Sequence, residues 1–240
     1  MLFLKNRILS IKIYDILSNQ FETPSGVPQG SFSAGQLFII FINDLIDTIG
    51  DKNALLFADD VKIFSKINSI SDCHELQTIL DKFFVWCYTN DMILNFDKCV
   101  VTSYKTSSKN KIIFDYNINK NLLNRKNIIK DLGIFYDDQL KFDKHLMFVI
   151  NKANKNLAFI KRSTDAIKSL YISIIRPVLL YGDIIWRPNK KNGINKIEQI
   201  QHKILLFLAF KDNLNFPRFC QNYDCLYKKY NLPSISSVRT

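Results

Sequence analysis

Asp59 and Asp60 are adjacent carboxylates between two short apolar runs, Ala54-Leu55-Leu56-Phe57 and Val61-Lys62-Ile63-Phe64. That order predicts a tight β-hairpin whose tip offers oxygen ligands to a hard cation such as Mg²⁺ while its flanks stay buried. Successive strand residues face opposite ways, so one carboxylate can point into a shared site while its neighbour tunes the field. Two-metal transfer chemistry holds its ions about 3.5–4 Å apart and requires a further carboxylate from a neighbouring strand. Two aspartates are equally the composition of a solvated turn. Upstream, Gly26-Val27-Pro28-Gln29-Gly30-Ser31 leads into a predicted helix. Its glycines allow close backbone approach, Gln29 offers an amide donor and acceptor, and the helix start presents free N–H groups. Such a loop fits against a base pair or a triphosphate, and it also fits a plain strand-to-helix connection.

The elements that must carry these residues follow from periodicity. Residues 8–23 alternate enough to form a strand or hairpin arm, ended by Pro24-Ser25-Gly26. From Gly35, the positions Leu37, Phe38, Phe41, Ile42, Leu45, Ile46 and Ile49 make a one-sided helical stripe that Gly50 can terminate. Ser71 is a candidate N-cap for a second amphipathic helix running to about Asn90. Short strands are expected at 92–94, 100–104, 112–116 and 132–136, giving an antiparallel sheet with two helices on one face. After Phe142 the pattern turns helical and basic over 144–161, 164–180 and 194–210. The fold class is therefore α+β, with a boundary near 140.

Composition narrows the setting. With 47% hydrophobic residues the 240-residue chain can bury its own core. No apolar run approaches the roughly 20 residues of a membrane span, so no membrane association is expected. The five cysteines (Cys73, Cys87, Cys99, Cys220, Cys225) include no Cys-x-x-Cys pair, which argues against a disulfide framework or zinc module and for a reducing, intracellular location, cytoplasmic or nuclear. His74, His145 and His202 are scattered and read as surface or helix-face residues. Residues 1–100 carry net charge −4 and residues 101–240 net +15, the pattern of an acidic, metal-holding part joined to a part that grips a polyanion. The abundance of Lys, Asn and Ile also fits an AT-rich gene. Tyr223, Tyr227 and Tyr230, set among Lys228 and Lys229, could stack on single-stranded bases or pack as an amphipathic face.

In order, these pieces resemble the palm of reverse transcriptases, specifically that of LINE-type, jockey-related non-LTR retrotransposons. Gly26 to Ser31 is similar to the family's GVPQGS loop, Phe41-Ile42-Asn43-Asp44-Leu45 to the helix after it, and Phe57-Ala58-Asp59-Asp60 to its metal-binding hairpin. The likeness continues through Trp86-Cys87, Leu94 to Cys99 and Asp131-Leu132-Gly133-Ile134. Further on, it takes in Leu170-Tyr171, Arg176 to Gly182, Trp186 and Ile197 to Gln201, which resemble the thumb-side region. The resemblance implies a right-hand polymerase palm over 1–140 and a basic, helical, thumb-like region over 141–240. Asp59 would ligate Mg²⁺ and Asp60 would support the hairpin. Gln29, Gly30 and Ser31 would line the nucleotide and template pocket, and Lys98 would protonate departing pyrophosphate. Leu132 and Gly133 would fall in the strand that holds the primer end. The implied partners are an RNA template, a DNA primer and dNTPs.

Two departures qualify that expectation. Ser33-Ala34-Gly35 stands where the family has Leu-Gly-Pro, and only 25 residues precede Gly26, where the family has a strand with another metal-binding Asp and the whole fingers region. The chain is thus expected to be truncated at its N-terminus and to lack a complete two-metal site on its own. A non-catalytic nucleic-acid-binding remnant is the alternative, and an unstable pseudogene product a third.

Overall fold

The computed structural model describes residues 7–23, 26–27, 30–50, 54–104, 112–162, 166–214 and 223–238. The chain is α+β and divides into two compact units, one of residues 1–100 and 111–124, the other of 101–110 and 125–240.

The first unit opens with a long two-part hairpin. Arg7–Leu9 pairs with Phe21–Thr23, and Lys12–Ile13 with Ile16–Leu17, so the alternating apolar run of 8–23 does fold back on itself. The predicted helix after the loop is two helices, α1 (Ala34–Ile42) and α2 (Asp44–Ile49), ended by Gly50 at φ 88°. Ala54–Phe57 and Asp60–Ile63 form the expected hairpin. Helix α3 (Ile70–Thr89) is capped by Ser69 rather than Ser71. The Ser69 hydroxyl accepts from the Asp72 N–H, while the Asp72 carboxylate accepts from the N–H groups of Asn68 and Ser69, at 2.7 and 3.0 Å. These donors hold the Asp72 carboxyl below its ordinary range. Because its folded pKa is depressed, its contribution is present above the ordinary aspartate pKa and is lost as pH falls through the lowered value. Helicity should therefore decline on acidification more steeply in wild type than in Asp72→Asn, as read by circular dichroism.

The buried side of α3 packs Cys73, Leu80, Phe83, Trp86 and Cys87 with Leu45 and Ile49 of α2. Gln77 of α3 grips the small hairpin at 117–122, donating to the Asn117 carbonyl at 2.9 Å and accepting from its N–H at 3.1 Å.

The second unit joins a hairpin, Ile128–Asp131 with Ile134–Asp137, to a helical body. The Asp137 carboxylate accepts from the N–H groups of Gln139, Lys141 and Phe142, which steers the chain into α4 (Asp143–Ile160). The stretch predicted as one helix to 180 is three pieces, α5 (Ile167–Leu170), a π-helical turn (Tyr171–Ile175) and α6 (Arg176–Leu180). Pro177 has no N–H and its ring crowds the Ser173 carbonyl, so the preceding turn widens and the Arg176 N–H reaches back to the Tyr171 carbonyl. Helices α7 (Asp183–Trp186), α8 (Lys191–Lys211), α9 (Asp224–Tyr230) and α10 (Ile235–Val238) complete the unit. Its core is continuous from Ile134 to Ile235 and includes Tyr171, Ile175, Leu179, Trp186, Ile200 and Ile204, each at most 1% exposed.

The expected single antiparallel sheet with two helices on one face is not formed among the described residues. Among the described residues every strand pairs with one other strand only. Residues 92–94 form no strand, because the Met92 N–H is used to close the end of α3 on the Cys87 carbonyl at 2.8 Å. Pairing expected at 112–116 begins instead at Asn117. No helix among the described residues is long and apolar enough to cross a membrane.

Candidate functional site

The hairpin at 54–63 pairs Phe57 with Asp60, leaving Ala58 and Asp59 as a two-residue loop. Ala58 sits at φ 50°, a conformation costing a residue with a Cβ about 1–2 kcal/mol. Asp59 is at the tip and Asp60 is the first residue of the returning strand, and both are exposed. Tight pairing on either side thus delivers the two carboxylates together. The flanks are less buried than expected: Ala54 is inside, whereas Leu55 and Phe57 are about 60% exposed, at 59% and 61%. No group of three His, Cys, Asp or Glu side chains able to hold a metal occurs among the described residues, so Asp59 and Asp60 supply two carboxylates without a described third.

Gly30 adopts φ 82° with open space where a side chain would stand, consistent with a backbone left clear for a ligand. The Ser31 hydroxyl is buried with no hydrogen-bond partner among the described residues. Gln29 lies outside the described residues. The Arg7 guanidinium donates to the Gly26 carbonyl at 2.8 Å, tying the loop to the first hairpin. Helix α1 begins without a side-chain cap on Ser33, where Ser33-Ala34-Gly35 departs from the family pattern. Lys98 is exposed, at the end of a turn in which its N–H donates to Asn95.

Leu132 and Gly133 do not lie within a strand. They are the two-residue turn of the hairpin, at φ 43° and 86°, because a type I′ turn needs positive φ at both central positions. The Tyr181 hydroxyl donates to the Leu132 carbonyl at 2.9 Å. Behind the turn, the Trp186 indole donates to the Tyr181 carbonyl at 2.8 Å, and Gly182 at φ 61° abuts Ile134. On the hairpin itself, Phe135 lies edge-on to Phe148, with the Lys130 ammonium 5.7 and 5.6 Å from the two ring centres and that of Lys144 5.2 Å from Phe135. Cations over partly exposed aromatic faces suit a phosphate backbone and its bases.

His145 is not a surface residue. It is 2% exposed, edge-on to Trp186 at 4.8 Å, and its Nδ1 accepts from the Phe135 N–H at 3.3 Å. Burial lowers its pKa, so its contribution is full above the ordinary histidine pKa and is lost as pH falls through the depressed value. The unfolding midpoint of wild type should fall on acidification below the ordinary histidine pKa, and His145→Gln should flatten that dependence. His202 is half-buried, stacked on Tyr223 at 3.7 Å and hydrogen-bonded to the Tyr227 hydroxyl at 2.8 Å. The Tyr227 hydroxyl in turn donates to Glu198 at 2.7 Å. These contacts occupy Tyr223 and Tyr227 in packing. The four described cysteines are free, and burial raises the Cys87 thiol to about 11.

Several motif residues without an assigned chemical role prove to be paired with one another. The Trp86 indole donates to Asp44 at 3.1 Å, joining two of the sequence blocks. The buried Tyr171 hydroxyl donates to Gln201 at 2.8 Å, joining two more. Their occurrence in the quoted blocks is the available signal, but pairing across 42 and 30 residues is not visible in periodicity.

The hairpin carrying paired aspartates, the glycine loop and the basic helical unit define the class. Residues 3–147 match the reverse transcriptase (RNA-dependent DNA polymerase) family, and the chain belongs to it. Over 219 residues it is 26% identical to the RNA-directed DNA polymerase from mobile element jockey of Drosophila melanogaster, covering 85% of this chain and 24% of that protein. It is 28% identical over 197 residues to the jockey polymerase of Drosophila funebris, covering 75% of this chain and 21% of that one. A probable RNA-directed DNA polymerase from transposon BS of Drosophila melanogaster is 23% identical over 219 residues, covering 85% and 24%. The jockey-type resemblance seen in the motifs therefore holds, and the chain spans about a quarter of these relatives' length. No solved structure matches.

Proposed function

We propose that this chain is the palm and thumb-side part of an RNA-directed DNA polymerase of a non-LTR retroelement, acting inside the cell on an RNA template, a DNA primer and dNTPs. The observation that carries this reading is the pair Asp59 and Asp60, presented to solvent by a two-residue hairpin loop in a chain of the reverse transcriptase family. Mg²⁺ is the expected ion, since the donors are carboxylate oxygens. When bound, it would neutralise charge on the transferring phosphoryl group. Asp59 holds that ion and Asp60 supports the hairpin and its field. Gly30, Gln29 and Ser31 line the nucleotide and template pocket, with the Ser31 hydroxyl free to hydrogen-bond there. Lys98 gives its proton to the departing pyrophosphate. The Leu132–Gly133 turn meets the primer end, and the basic region after 140 grips the duplex backbone.

A second reading, a binding protein without catalysis, is favoured by the lack of a described third carboxylate beside Asp59 and Asp60. On it, the chain by itself extends no primer. The two are separated by measuring binding of an RNA–DNA duplex across salt, together with extension of oligo(dT) on poly(rA). Binding should weaken steeply with salt, as counterion release requires, and Asp59→Asn should leave it within about twofold. Extension that disappears in Asp59→Asn establishes that this chain polymerises on its own, and binding without extension establishes that the chain by itself binds without catalysis. Absence of binding at about 50 mM salt refutes both.

A further inference from the structure

We propose that Tyr181 is a positioning residue for the Leu132–Gly133 turn, holding the tip at which the primer's 3′ end is read. This rests on the assignment of that turn to the primer end. The turn is strained, since Leu132 at φ 43° is a branched side chain in left-handed backbone, and strain of this kind persists only where surroundings hold it. The Tyr181 hydroxyl, donating to the Leu132 carbonyl at 2.9 Å, is such a restraint. Its ring also covers the next residue. A methyl group on Gly133 would lie 3.4 Å from Cε1 and 3.9 Å from the hydroxyl oxygen.

Tyr181 is itself fixed from behind. Its N–H donates to the Pro177 carbonyl at 2.9 Å and its carbonyl accepts from Trp186, which is 1% exposed. Gly182 follows at φ 61°, where a Cβ would come within 2.7 Å of Ile134 Cδ1 in the returning strand. The line Trp186, Tyr181, Leu132 thus runs from the core to the tip of the hairpin. Tyr181 remains 58% exposed, so its hydroxyl contributes little to core packing and acts on the turn.

The test compares binding of the purified chain to an RNA-template–DNA-primer duplex with a recessed 3′ end and to a blunt duplex of the same sequence. Wild type should prefer the recessed end. Tyr181→Phe removes the hydroxyl alone, and should reduce that preference roughly five- to tenfold, the worth of about one hydrogen bond. Blunt-duplex affinity and the thermal midpoint should stay near wild type, whereas a merely structural role would move these and leave the ratio alone. Gly133→Ala serves as the reference for the turn. If Gly133→Ala loses the preference while Tyr181→Phe keeps it, the proposal fails and the primer-end assignment stands. If Tyr181→Phe weakens both duplexes equally, the proposal fails as well. If wild type shows no preference, or Gly133→Ala retains it, the assignment and the proposal fall together.

Discussion

Gln201→Leu is expected to destabilise the helical unit by about 3 kcal/mol, because it strands several buried polar groups at once. Gln201 is fully buried. Its amide oxygen accepts from the Tyr171 hydroxyl at 2.8 Å, and its nitrogen donates to the Leu232 and Pro233 carbonyls at 3.2 and 2.7 Å. Burial raises the Tyr171 pKa, so its hydroxyl remains a donor throughout the physiological range. Leucine fills the same volume without answering any of these groups. Tyr171→Phe alone should cost about 1 kcal/mol, and the double variant should be less destabilised than the sum by about the same amount, since the orphaned hydroxyl is gone. Urea unfolding of the four proteins measures the coupling. Additive losses would show that the two side chains do not work as a pair.

Gly182→Ala carries the next largest effect, about 2–3 kcal/mol, from two sources. Alanine at φ 61° pays for left-handed backbone, and its methyl would approach Ile134 Cδ1 to 2.7 Å within the core. Ile134→Val removes that carbon. On its own it should destabilise by about 1 kcal/mol, as cavity formation predicts, yet in the Gly182→Ala background it should restore part of the loss. Thermal unfolding reads both. Since Ile134 belongs to the hairpin bearing Leu132 and Gly133, Gly182→Ala should also weaken duplex binding, whereas Gln201→Leu should do so only where the protein unfolds.

The parts legible in the sequence were those set by local rules. The apolar stripes of α4 and α8 and the apolar runs around Asp59 and Asp60 predicted their elements within a few residues. The choice of Ser69 over Ser71 was also local, because Asp72 stands three residues after Ser69 and completes the capping box. What escaped was decided by partners distant in the chain. Met92-Ile93-Leu94 is a short apolar run like a strand, but among the described residues no strand pairs with it, and its first N–H closes a helix instead. His145 reads as a helix-face residue until the Phe135 N–H arrives from the hairpin and needs an acceptor. Leu132 and Gly133 read as strand because a leucine seldom takes positive φ, and the Tyr181 hydroxyl that meets this turn is 49 residues away. At the site, the adjacent aspartates and the glycine loop were visible as motifs, while the exposure of Leu55 and Phe57 beside them was not.

The interleaving of the two units has a consequence for synthesis and dissection. The chain leaves the first unit after residue 100, returns for 111–124, and leaves again. During translation α3 emerges well before Asn117, so Gln77 faces water until that hairpin is made and only then finds both of its backbone partners. Protease fragments should mirror this order. A piece ending at residue 100 would keep α3 but forfeit the strand pair it clasps, whereas one ending at 124 would retain both.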